Sequence, residues 1–179
     1  MIVLFNKPMN VLSQFTDEGR WPGLKHFIDM PGIYAAGRLD RDSEGLLVLT
    51  DDGRLQARIT SPKAKLEKRY LVQVEGAPEE AAIQRLSAGV DLKDGRTRPA
   101  RVNVIAPPEL WQRDPPVRIR KTVPDTWLSM TLHEGKNRQI RRMTAAVGHP
   151  TLRIVRVGIG PWDLGALDPG QWITTTVRV

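Results

Sequence analysis

The chain has 179 residues, enough for one sizeable core or two small, intimately packed halves. Lysine and arginine total 27 against 20 acids, a formal net charge of +7 that favours a polyanionic partner. With no cysteine, disulfides, thiolate zinc sites and thiol nucleophiles are excluded. No stretch nears the roughly 18 apolar residues of a membrane span, and no cleavable leader is visible, which predicts a soluble, cytoplasmic protein.

In chain order, Ile2 to Phe5 reads as a short strand ended by Asn6-Lys7-Pro8. Pro22 to Phe27 predicts a short helix, and Gly32 to Ala36 a strand. Leu46 to Thr50 is apolar until its last residue, the pattern of a strand buried on both faces. Asp51-Asp52-Gly53 ends it, and Asp52 or a neighbour caps a helix running to about Ile59. Residues 61–68 form a polar, Lys-rich connector, followed by a strand over Tyr70 to Val74. Pro78-Glu79-Glu80 opens a helix that Gly89 closes. Strands are predicted at Arg101 to Ile105 and Trp127 to Leu132, with an irregular proline-rich loop between them. Asn137 is placed to cap a helix through Val147 with Gly148 as terminator. Thr151 to Val157 and Gln171 to Val177 complete the strands. The fold class expected is α+β, with a mixed, mainly antiparallel sheet in two lobes flanking a cleft and helices packed on it.

Charge is distributed unevenly. Between Arg118 and Arg156 nine cations face only two acids, so this stretch carries the whole excess and predicts a positive face on a neutral body. On the helix after Asn137, Arg138, Arg141 and Arg142 share one side, while Ile140, Met143, Thr144 and Val147 form the other. Three guanidiniums unrelieved by an acid repel one another, and their forks match phosphates and carboxylates.

A second constellation is Gly37-Arg38-Leu39-Asp40-Arg41-Asp42-Ser43-Glu44-Gly45, set ahead of the apolar strand. An Asp between two Arg is a poor arrangement for stability alone and a good one for holding an ionised carboxylate against an anionic polymer. Arg38 precedes Asp40 by two residues, so both point to one side of an extended segment, and a structural ion pair is as good a reading of Arg38 as contact with a polyanionic partner. The spacing of Asp40, Asp42, Glu44, Gly45 and Asp51 approaches a calcium loop. Against that, the last ligand is Asp rather than a bidentate Glu, a buried-type strand follows Gly45, and Arg41 opposes a cation. His26, His133 and His149 lack metal-ligand spacing, Ser43 has no histidine in its loop, and Trp111, Trp127, Trp162 and Trp172 read as core or loop anchors.

Gly37 to Asp40 with Ser43 to Leu47 resembles the signature of RsuA-type pseudouridine synthases, which modify bacterial ribosomal RNA. Phe5-Asn6-Lys7-Pro8 resembles that family's Lys-Pro start, Lys68-Arg69-Tyr70 its Lys-x-Tyr element, and Glu134-Gly135 through Arg138-Gln139-Ile140-Arg141-Arg142-Met143 its third motif. The four occur in the family's order. The wording of the second and fourth is most similar to members acting on large-subunit (23S) ribosomal RNA.

The resemblance implies a single catalytic domain over residues 1–179, in two α+β lobes, without the family's usual S4-type RNA-binding domain. It implies that a uridine is converted to its C-glycoside isomer without metal or organic cofactor. Asp40 would be the catalytic carboxylate, Arg141 its ion-pair partner and Tyr70 the ring stacking on the base. Arg38, Lys68, Lys136, Arg138 and Arg142 would bind RNA, the last two sharing that role with structure. The partner implied is ribosomal RNA, free or in an assembling particle, with no membrane and the protein a monomer. Such a uridine must be flipped from its helix, at a cost of a few kcal/mol, offset by roughly 1–3 kcal/mol of stacking on an aromatic face. Two alternatives stay open. A non-catalytic RNA-binding assembly factor would not require Asp40, and a metal-dependent nuclease would lose activity to a chelator.

Overall fold

The computed structural model describes residues 1–64 and 66–179; Lys65, within the predicted connector, lies outside them. The chain forms two compact units, Met1–Leu66 with Val155–Val179, and Glu67–Ile154.

In the first unit β1 (Ile2–Lys7) pairs antiparallel with β3 (Glu44–Thr50), Phe5 opposite Leu47. Between them the chain forms a 3-10 turn, Leu24–His26, and the two-residue β2 (Tyr34–Ala35), which pairs with β3. All seven residues of β3 are buried, the outcome expected of an apolar run covered on both faces. Its Leu47 and Leu49 meet Val3, Phe5, Val11, Leu24, Ile28 and Ile33 in one core. Helix α1 (Gly53–Thr60) starts at Asp52, whose carboxylate accepts from the backbone N–H groups of Arg54 (2.9 Å) and Leu55 (3.2 Å).

The second unit is built on β4 (Lys68–Glu75), which pairs antiparallel with a later strand, β8 (Asp125–Leu132), Tyr70 opposite Met130. Helix α2 (Glu80–Ala88) runs from Glu79 to Gly89, where φ is +119° and the glycine ends the helix as expected. A short hairpin absent from the sequence reading follows, β5 (Asp91–Leu92) with β6 (Gly95–Arg96). Strand β7 (Arg101–Ile105) pairs antiparallel with β8. Val72, Val74, Leu86, Val102, Leu128 and Met130 form this unit's core with Ile140 and Met143 of α3 (Gln139–Ala146).

Strand β9 (Thr151–Ile159) carries the chain back into the first unit at Val155. There Glu44 and Gly45 of β3 pair parallel with Val155 and Arg156. Within the same unit β10 (Trp162–Asp163) pairs antiparallel with β9 and β11 (Trp172–Thr175) with β1, so the expected mixed α+β class holds. Several elements run longer or shorter than expected. β1 extends two residues further through Asn6 and Lys7, because their side chains find carbonyl acceptors inside the protein. No helix among the described residues is long and apolar enough to cross a membrane.

Candidate active site

The Asp40 loop belongs to the first unit. Gly37 takes φ +88°, Arg38 is exposed and Asp40 half-buried, and the Ser43 N–H donates to the Asp40 carbonyl (3.0 Å), tightening the turn into β3. Gly45 is required where it stands. Its φ is +107°, and a Cβ would overlap the Arg156 carbonyl and come within 2.7 Å of the Arg156 nitrogen. Only a glycine lets β3 and β9 pair at this point.

Behind this loop lies Lys7, which sequence reading left without a role. Its side chain is fully buried, and its ammonium donates to the carbonyls of Val11 (2.7 Å), Pro8 (2.8 Å) and Arg41 (3.3 Å). Burial pushes its pKa down to about 7, opposed by the negative charges of Glu44, Asp42 and Asp40. Three of the four acids whose spacing resembled a calcium loop thus lie within the field of a lysine. The apolar neighbours of Lys7 in the sequence, Ile2 to Phe5, were the one available signal that a strand would carry it inward.

The loop's other cation, Arg41, stacks on Trp21 with its guanidinium carbon 4.1 Å from the ring centroid, and Arg20 lies 4.3 Å from the same centroid. Trp21 was not singled out in the sequence. Arg156, counted there among the exposed cations, is instead buried and donates to the Leu46 carbonyl (2.9 Å).

The remaining predicted residues belong to the second unit. Tyr70 is half-buried against that unit's core. The ammonium of Lys68, two residues earlier on β4, lies beside Gly135, 3.7 Å from where a Cβ on that glycine would stand. Helix α3 buries Ile140, Met143 and Thr144 as its periodicity requires, leaving Arg141 and Arg142 half-buried and Arg138 exposed. Its N-cap is Arg138, in the left-handed conformation (φ +51°), rather than Asn137. The cap falls one residue late because the Gln139 side chain accepts from the Lys136 N–H (3.0 Å) and donates to Glu134 (2.9 Å), closing the turn without an asparagine cap. Gly148 terminates the helix with φ +86°, as expected.

Arg142 makes a two-pronged contact with Asp94 in the β5–β6 turn (2.8 and 3.2 Å) and donates to the Asn137 carbonyl (2.7 and 3.0 Å). The hydrogen bond to Arg142 holds the Asp94 carboxyl below its ordinary pKa, and the same contact raises that of Arg142. Arg153 is buried and donates to the Trp111 carbonyl (3.0 Å). The positive face read from residues 118–156 is therefore reduced, since Arg153 and Arg156 are interior and Arg142 is tied to an acid.

The family model for RNA pseudouridylate synthases matches residues 1–146. The chain belongs to that family. Its members isomerise uridine in RNA, so the chain is an RNA pseudouridine synthase, the family its four motifs resemble. It is 62% identical over 172 residues to the ribosomal large subunit pseudouridine synthase E of Xanthomonas axonopodis pv. citri, covering 94% of this chain and 90% of that protein. It is 57% identical over 171 residues to the protein of that name from Vibrio parahaemolyticus serotype O3:K6, covering 96% of this chain and 72% of the other. A crystal structure of a pseudouridylate synthase superposes with a TM-score of 0.81 at 31% identity, over 98% of this chain and 70% of that one.

Proposed function

We propose that this enzyme converts a specific uridine of large-subunit ribosomal RNA to pseudouridine, with Asp40 as the catalytic carboxylate. The observation that carries the substrate class is the 57–62% identity to synthases named for the large ribosomal subunit. In the reaction the bond from N1 to the ribose C1′ breaks and one from C5 to C1′ forms. The hydrogen on C5 is lost and N1 takes up a proton, so atoms balance with no co-reactant.

By the family resemblance Arg141 is the partner of the catalytic carboxylate, and Tyr70 is the ring that stacks on the flipped base. Arg38, Lys68, Lys136 and Arg138 contact RNA, while Arg142 divides its donors between fold and substrate. The enzyme acts as a cytoplasmic monomer without metal, on free RNA or an assembling particle.

Asp40→Asn tests the assignment. With a large-subunit transcript carrying tritium at C5 of uridine, the variant releases no tritium above background while its RNA dissociation constant stays within about threefold. Near wild-type release would remove Asp40 from the mechanism. Loss of one pseudouridine from large-subunit RNA in cells lacking the protein identifies the nucleotide, and an unchanged map would refute the substrate class.

A further inference from the structure

We propose that Ser13 and Asn10 form a two-sided clamp that positions Asp40, gripping the residue before it and the residue after it. The inference rests on the reading of Asp40 as the catalytic carboxylate.

On the upstream side, the Ser13 hydroxyl accepts from the Leu39 N–H (2.9 Å) and donates to the Leu39 carbonyl (2.8 Å). Both backbone groups of one residue are satisfied by one side chain, an arrangement that a paired strand would otherwise supply. Ser13 and Leu39 are both buried, so water cannot replace the contact. On the downstream side, the Asn10 N–H donates to the Arg41 carbonyl (2.8 Å), and the Asn10 side-chain oxygen accepts from the Arg41 guanidinium. Asn10 does this with φ +69°, a left-handed conformation that asparagine tolerates better than most residues. Stacking on Trp21 holds the far end of Arg41.

Lys7 adds a third bond to the Arg41 carbonyl, and the Ser43 N–H holds the carbonyl of Asp40 itself. The backbone on either side of Asp40 is thus tied to a single segment, residues 7–21, and the carboxylate retains only its own side-chain rotations. Chemistry that depends on a placed carboxylate gains from such a fixed origin, since a displacement of about 1 Å is worth roughly a hundredfold in rate. Nothing in the contacts of Ser13 requires RNA. Ser13 and Asn10 are positioning residues that act through Leu39 and Arg41.

Ser13→Ala leaves the Leu39 N–H and carbonyl buried without their partner, so the upstream half of the clamp opens. The expected result is a ten- to hundredfold fall in the single-turnover rate constant at saturating enzyme, with the RNA dissociation constant within twofold of wild type. Ser13→Thr, which keeps the hydroxyl, recovers most of the rate. Asn10→Gly preserves the φ +69° backbone and its bond to Arg41 while deleting the side-chain acceptor. It lowers the rate constant two- to fivefold, again without loss of binding, and it decides the matter should Ser13→Ala fail to fold. Wild-type single-turnover rates in both variants would overturn the clamp, as would parallel losses of rate and affinity. The Asp40→Asn control separates the two failures: an active Asp40→Asn protein removes the carboxylate reading itself, whereas an inactive one beside fully active Ser13→Ala and Asn10→Gly proteins removes only the clamp.

Discussion

Lys7→Gln should change how stability depends on pH. The wild-type ammonium has no exposed surface and sits among three carbonyl oxygens, and burial brings its pKa to about 7. In the unfolded chain a lysine titrates at about 10.4. Between these values the unfolded state binds more protons than the folded state, so stability rises with pH across that window. Below pH 7 both states are protonated and the full cost of burying the charge is present. Above about 10.4 both are neutral and the cost is gone. The slope approaches about 1.36 kcal/mol per pH unit, and the span amounts to something on the order of 4 kcal/mol. Glutamine keeps amide donors for two of the carbonyls but does not titrate. Urea unfolding followed by circular dichroism at pH 6, 7, 8 and 9 measures the difference directly. From pH 7 to 9 wild type should gain about 2–3 kcal/mol relative to the variant, with little relative change from pH 6 to 7. Parallel curves for the two proteins across that range would show that Lys7 is not buried as a neutralisable base.

Three further variants probe other parts of the molecule. Gly45→Ala combines a positive φ with overlap of the Arg156 backbone, so β3 and β9 must part. A loss of at least about 3 kcal/mol, or roughly 6–12 °C in Tm, is expected, and a melting temperature within 2 °C of wild type would contradict the geometry. Arg138→Gln should reduce the salt-dependence slope of RNA binding by roughly 0.7–0.9, the value of one phosphate contact. Arg142→Gln should move the slope less, because Asp94 and the Asn137 carbonyl occupy its donors. Equal slope changes in the two variants would show that the Asp94 contact yields to RNA.

Much of the fold was legible because the signals are local. Asp52 ahead of Arg54 and Leu55, Pro78 with the acids that follow it, and glycines at 89 and 148 act within a few residues of where they stand. The β5–β6 hairpin was not legible, since its two-residue strands are too short for periodicity to register. Nor was the fate of individual cations. Arg38 and Arg153 read alike in a sequence, yet one is exposed and the other is held inside by the Trp111 carbonyl.

The order of the motifs, the buried strand of β3 and the family were therefore written in the chain itself, because residue type and spacing carry them. Only the tertiary structure decided that Lys7 goes inside, that Arg153 and Arg156 leave the basic surface, and that Ser13 and Asn10 hold the residues on either side of Asp40. The physical reason is common to all. A charge or hydroxyl settles in the interior only where acceptors wait for it, and those acceptors come from residues 26, 34 and 110 positions away.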